Sequence, residues 1–383
     1  MKTLTIFLAG LYFALAPAVL SRDSASQATE KAPSTGKTFV YVSDFGTNAI
    51  SAFQVDTSTG ALFTVKGSPF KAGRGPEFLA SDNGKYLYVS NVTSNTISAF
   101  TINSRTGALT SVPGSPFPVG RQPKGITVVP SANLLFVVNV RDNNVSSLKI
   151  DSATGALSLI AQFPAGFGAF DAAVTPAGAF LYLSDRLSGD VSGFAINSVN
   201  GHLTPVPNSP FKTGQTPIGL VASRSGAFLY VVDHMQVTKS NRPQDSFASY
   251  RIDPESGTLT HVAGVLHPKV TCQSACHLNP LLIAIHPTQS FAYATDIGAG
   301  SVSPYALRSN GTLSPLSPPV PAGKHPFGLA LDSRGRFLYV ANKIDNTISG
   351  FVINSTTGLL SPLQGSPFPA GGSEPKGIVI VSE

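Results

Sequence analysis

Tryptophan is absent from this sequence, methionine and cysteine occur twice each, and only 12% of the residues are charged. The missing tryptophan argues against the repeat proteins marked by a Trp-Asp dipeptide. Apolar residues at i, i+3 and i+4 recur nowhere beyond the first twenty positions, which excludes a helical class. The formal net charge is +6, yet lysines and arginines are scattered rather than gathered in a run, so nucleic acid is not an expected partner. No Gly-x-Ser-x-Gly elbow is present to expose a serine nucleophile. Both cysteines fall in one short segment, CQSACH at 272–277.

What the chain does contain is one sentence repeated seven times. Its clearest copies are YLYVSNVTSNTISAFTINSRTGALTSVPGSPFPVG at 86–120 and FLYVANKIDNTISGFVINSTTGLLSPLQGSPFPAG at 337–371. The aromatic of each "LYV" falls at Tyr41, Tyr88, Phe136, Tyr182, Tyr230, Tyr293 and Tyr339, spaced by 47, 48, 46, 48, 63 and 46 residues. Repeats of that length made of short strands predict an all-β, seven-bladed β-propeller of four-stranded blades. Gly60, Gly107, Gly155, Gly201, Gly257, Gly311 and Gly358 share one turn position, where a tight hairpin demands positive φ. The "GSPF" segments end the outermost strand, because proline cannot extend a ladder and so blunts the exposed edge. The repeat is out of phase with the termini. The first copy opens on a second strand at Phe39, and 376–382 (KGIVIVS) is a first strand with nothing after it, so the C-terminal strand is predicted to close the ring as the innermost strand of the N-terminal blade.

The N-terminus reads as a secretory signal peptide over 1–28. Lys2 precedes an apolar stretch at 4–20, with cleavage sites near 18 or 28. The competing reading is an uncleaved anchor, for which the stretch is short. Residues 29–37 form a flexible lead-in and 38–383 the propeller. The expectation is a secreted or periplasmic monomer with no membrane span after processing. Asn91, Asn144, Asn310 and Asn354 match the glycosylation acceptor pattern, relevant in a eukaryotic source.

Ligand sites of propellers collect where loops enter the innermost strands. The Asp or Asn ending each second strand (Asp44, Asn91, Asn139, Asp185, Asp233, Asp296, Asn342) repeats in every blade and reads as turn capping. Departures from the repeat carry more information. Entering the first strand, Gly125, Gly219, Leu282, Gly328 and Gly377 share a register in which Asp171 and Glu77 are acidic, and paired carboxylates in unequal surroundings can divide acid and base roles. Arg74, Arg121 and Arg141 lie in loops expected at the same mouth, where they would bind an anion. The fifth repeat carries two insertions, 235–246 and 265–279, the second holding His267, Cys272, Cys276 and His277. Three readings of it stay open: a local disulfide between Cys272 and Cys276, a haem attachment spoiled by one extra residue, and a zinc site with His267 and His277 that lacks the usual spacing. No cofactor or metal is otherwise implied.

The stretch Ala275-Cys276-His277, His286-Pro287-Thr288, Asp296, Gly300-Ser301-Val302 and Gly311-Thr312-Leu313 resembles a block of the seven-bladed lactonase family, the propellers grouped with 6-phosphogluconolactonase and the carboxymuconate lactonising enzymes. The resemblance extends over essentially 39–382. It implies a small lactone or anionic ligand and makes His277 the first catalytic candidate, with Asp171 and Glu77 beside it and His325 among the binding groups. The chain departs from the family at His325-Pro326-Phe327, which lacks the expected arginine, and at Asn342-Lys343, which lacks the expected carboxylate. The implied activity is hydrolysis of a sugar or related lactone, with water activated by His277 or Asp171 and the oxyanion held by a cation. The rival reading is a non-catalytic propeller that binds a protein or polymer through its rim loops. Catalysis predicts that His277→Ala abolishes lactone turnover while leaving the melting temperature unchanged; turnover surviving in that variant removes the histidine from the mechanism.

Overall fold

The second strand of each repeat is apolar on both faces, as in Tyr86–Asn91 and Phe180–Asp185, and every residue in these two is buried. A strand with two buried faces must be covered on both sides, and in a ring of sheets each blade covers the next. The computed structural model, which describes residues 37–214, 216–234, 247–265, 279–288 and 290–382, resolves this requirement as seven antiparallel sheets. In blade 2 the strands run outward as Pro76–Asp82, Tyr86–Asn91, Thr96–Ile102 and Leu109–Ser111. Blades 3 to 7 repeat the order, with innermost strands at Pro123–Val129, Ala169–Val174, Pro217–Ala222, Pro280–Ile285 and Pro326–Leu331. Blade 1 closes the ring as expected: Pro375–Ser382 pairs antiparallel with Thr38–Asp44, from Thr38 opposite Ser382 to Asp44 opposite Pro375. The one helical element among the described residues is a 3-10 turn at Pro130–Ala132.

The outermost strand is more divided than the repeat suggests. In five blades it breaks and returns as a two-residue strand pairing the same third strand, as Leu109–Ser111 and then Phe117–Pro118 do on Thr96–Ile102. In four of these the break is a cis Ser-Pro bond, and the serine hydroxyl accepts the third-strand amide that the interrupted ladder would leave free, 2.9 Å from Ala52 N to Ser68 Oγ and from Ala99 N to Ser115 Oγ. The phenylalanine that follows packs between blades, Phe117 against the apolar cluster shared by blades 2 and 3.

Neighbouring blades are also joined by a specific hydrogen bond. Tyr41 Oη donates to Gly107 O of the next blade at 2.9 Å, and Tyr88, Tyr182, Tyr293 and Tyr339 do the same to Gly155, Gly257, Gly358 and Gly60 at 2.7–3.1 Å. Where blade 3 has Phe136, its cross-strand partner Ser147 supplies the donor instead, 2.7 Å from Gly201 O. The turn glycine is therefore required twice. Gly107 has φ of 74°, and a Cβ there would lie 2.4 Å from the Phe39 ring of the preceding blade.

The Asp or Asn ending each second strand is buried and structural. Asn91 Nδ2 donates to Ser98 Oγ at 2.9 Å, and in blades with aspartate the polarity reverses, Ser51 Oγ donating to Asp44 Oδ2 and Ser192 Oγ to Asp185 Oδ2 at 2.6 Å. The role is broader than capping the local turn, since the side chains of Asp44, Asn91, Asn139, Asp185 and Asn342 tie the second strand to the third. Its burial also removes Asn91 from the sites at which a glycan could be attached.

Two predictions follow from these contacts. Removing residues 375–383 strips blade 1 of its innermost strand and should abolish cooperative unfolding; full thermal stability in the truncated chain contradicts ring closure by that strand. Burial pushes the carboxyls of Asp44 and Asp185 up to about 7. Because the folded state then binds more protons than the unfolded one between roughly pH 4 and 7, stability falls as pH rises through that window. Asp44→Asn with Asp185→Asn, which copies blades 2, 3 and 7, should shrink the loss of melting temperature between pH 5 and pH 8; an unchanged pH dependence contradicts it.

Candidate functional site

Each innermost strand starts at one mouth of the hub, six of them on a proline, a residue suited to the first position of a strand. That residue pairs with the buried Asp or Asn, as Pro76 with Asn91 and Pro123 with Asn139, and a register shift follows at once. Two residues per blade fall within the shift, and their side chains form the hub.

This pairing corrects the register of one acid. Pro76 lies 12 residues before Tyr88, whereas Pro123 lies 13 before Phe136, because the first hairpin of blade 2 is one residue shorter. Glu77 therefore aligns with Lys124 and Lys376, and Phe78 rather than Glu77 aligns with Gly125 and Asp171. The ring at the Glu77 level divides into two arcs. Lys376, Glu77 and Lys124 occupy three consecutive blades; Phe170, Ile218, Leu281 and Phe327 occupy the other four and pack as one apolar cluster. Phe78 meets the rings of Phe170 and Phe327 edge-on, both at 6.1 Å between centroids. Those partners stand two blades away on either side, so the phenylalanine crosses the axis of the ring.

The charged arc is a buried ion triad. Lys124 Nζ lies 2.8 Å from Glu77 Oε1 and Lys376 Nζ 2.9 Å from Oε2, with Glu77 only 1% exposed. Lys376 Nζ also sits 3.5 Å from the centre of the Phe45 ring, and Lys124 Nζ 4.4 Å from that of Phe170. Burial alone would raise the Glu77 carboxyl, but the two ammonium groups outweigh it and hold it below the usual range. Burial lowers Lys376, an effect Glu77 opposes and Lys124 and Lys343 reinforce. The triad carries one positive charge in excess.

Asp171 behaves in the opposite sense. Burial pushes its carboxyl up to about 7 against the amides of Ala172 and Leu220, and Ala172 N donates to Oδ1 at 2.8 Å. The two acids thus have unequal surroundings, but Glu77 is committed to its lysines and is unsuited to accept a proton.

His325 stands immediately before Pro326 with φ of 58°, and its Nδ1 is buried without a hydrogen-bond partner among the described residues. Burial, then Lys343 and Lys376, lower its pKa, so the imidazole is neutral at pH 7. Lys343, at the place of the carboxylate expected from the family pattern, pairs with Glu374 of the adjoining blade at 3.5 Å. Arg186 Nε is also buried and unpartnered among the described residues, and the arginine bears on the titration of His234, whose Nδ1 meets Pro280 O at 3.2 Å. Of the three arginines singled out in the sequence, Arg121 and Arg141 line one cavity of about 400 Å³ with Phe45 and Gln122. Arg121 is paired with Asp142 at 2.6 Å, and Arg74 is exposed on the loop before Pro76. His267, Cys272, Cys276 and His277 lie outside the described residues; the described chain resumes at Asn279, whose amide donates to Asp296 Oδ1 at 3.0 Å. Lys124, Lys376, Arg186 and His234 escaped the sequence reading. Their signal was present as departures at the residue after the strand-opening proline and at the residue after the Asp or Asn ring.

The sequence profile of the family described as "Lactonase, 7-bladed beta-propeller" matches residues 17–119, 79–170, 162–262 and 279–373. No curated protein matches by sequence. Among solved structures, a candidate 6-phosphogluconolactonase from Bacteroides fragilis superposes with a TM-score of 0.77 at 20% identity, covering 91% of this chain and 99% of that one. The periplasmic gluconolactonase PpgL of Pseudomonas aeruginosa superposes with a TM-score of 0.74 at 15% identity, covering 90% and 99%. At such identities the superpositions establish a shared fold.

Proposed function

This chain belongs to the seven-bladed β-propeller lactonase family, and from that membership we propose that it hydrolyses a lactone at the hub mouth. The observation that carries the proposal is a neutral histidine with an unpartnered buried nitrogen, His325, close enough to Lys376 for the ammonium to bear on its titration. Opening a lactone requires water to attack the ring carbonyl, which places negative charge on its oxygen. Each ammonium of the triad has three donors and spends one on Glu77, so Lys124 and Lys376 retain donors for that oxyanion. His325 takes the proton from the attacking water on its imidazole. As the tetrahedral species collapses, the ring C–O bond breaks and the imidazolium returns the proton to the leaving alkoxide, giving a hydroxy acid. Glu77 fixes the two ammonium groups and takes no proton. Asp171, His277 and the arginines of the rim complete the list of groups offered to the substrate, and the apolar stretch at 4–20 supports action outside the cytoplasm. Since one structural neighbour is a periplasmic gluconolactonase, sugar lactones are the first substrates to try.

The test is a pH–rate profile on a panel of sugar and acyl lactones. With His325 as base, activity rises through an acid limb below pH 6.5 and falls again at high pH as Lys376 loses its proton; a limb near pH 7 assigns the base to Asp171 instead. His325→Asn should lower kcat by about 10²–10⁴-fold and abolish the acid limb without changing the melting temperature. Absence of turnover on every lactone defeats the proposal and favours the binding propeller.

A further inference from the structure

A second site is built at the opposite end of the strands, in the seam between blades 5 and 6. Here the repeat fails three times together. Tyr230 occupies the register of the tyrosines that latch one blade to the next, yet among the described residues its hydroxyl has no hydrogen-bond partner, and it faces a cavity of about 370 Å³. The turn that would carry the accepting carbonyl is one residue shorter in blade 6: Leu307 pairs with Leu313 across five residues, whereas Val55 pairs with Leu62, and Ile102 with Leu109, across six. The first residue of that turn changes its charge. In the other blades it is Asp56, Asn103, Asp151, Asn197, Asp253 or Asn354, whose side-chain oxygen accepts amides of the same turn. In blade 6 it is Arg308, and Asn310 takes over the capping through the Thr312 amide at 3.1 Å.

The shortened turn thus leaves a cleft where other seams have a closed latch, and an arginine stands where they have an acid or amide. Arg308 lines the cleft together with Arg224, Tyr230, Ser225, Thr288 and Ser290, and among the described residues no acidic one lines it. Both arginines are exposed, and among the described residues the one side-chain hydrogen bond of Arg308 runs from Nη2 to Ser314 Oγ at 3.2 Å. Guanidinium groups bind phosphate and carboxylate through paired parallel hydrogen bonds, and two of them beside hydroxyl donors, with no carboxylate to neutralise them, form an oxyanion receptor. The volume lies within the range of small-molecule sites. We propose that this inter-blade cleft binds a small polar molecule through a phosphate or carboxylate group, at a site separate from the hub mouth and independent of what the hub does.

Isothermal titration of the full chain with inorganic phosphate and with gluconate, at fixed ionic strength in chloride, tests the proposal. One or both should bind, and Arg224→Ala with Arg308→Ala should weaken that binding at least about tenfold, while Arg105→Ala, on an exposed turn of blade 2, leaves it intact. Tyr230→Phe should weaken it less, as the loss of one neutral donor. Binding of phosphate alone identifies a phosphoryl ligand, and of gluconate alone a carboxylate ligand. Binding of neither, or binding that survives loss of Arg224 and Arg308, or that is lost in the Arg105 variant, overturns the proposal.

Discussion

In six of the seven blades the carbonyl of the left-handed turn glycine anchors a seam of this ring. It accepts a hydroxyl from the blade before it, while the missing Cβ lets that blade's aromatic residue rest on the turn, as Phe39 rests on Gly107. A propeller has no central element to hold its sheets, so each sheet must be placed by its neighbours, and dispersion between apolar faces does not by itself fix their relative rotation. A directional bond at the rim does. The substitution of Ser147 for the hydroxyl absent from Phe136 shows the constraint surviving a change in the residue that satisfies it.

With the periphery fixed by uniform contacts, the hub is free to be unequal. Three consecutive blades place Lys376, Glu77 and Lys124 around it, and the remaining four place apolar side chains there. Burying three charges costs desolvation that only tight pairing returns, which makes such a cluster a poor source of stability. Its value lies elsewhere. A carboxylate gripped from two sides cannot rotate, and the ammonium groups it holds keep unused donors in a fixed place at the mouth. This is the arrangement in which electrostatic stabilisation of a developing anion needs little reorganisation.

The architecture was legible because it is written seven times: strand order, turn glycines, outer-edge prolines and closure by the C-terminal strand all follow from copies that agree. The buried Asp and Asn ring was legible as structural for the same reason. The hub was harder to read, since its content lies in single residues and its frame moves. One residue missing from the first hairpin of blade 2 placed Glu77 a position out of register, hiding its alignment with the two lysines that hold it. The tyrosine latch, which spans 66 residues of sequence from Tyr41 to Gly107, leaves no local periodic signal, and neither does the pairing of Lys343 with a glutamate from the adjoining blade.

Phe78 has a bearing on traffic. By lying across the axis against rings from blades on either side, it plugs the bore of the ring at the level of the ion triad. In the proposed hydrolysis the product would then leave by the route the substrate takes, and clearing it would be part of every cycle.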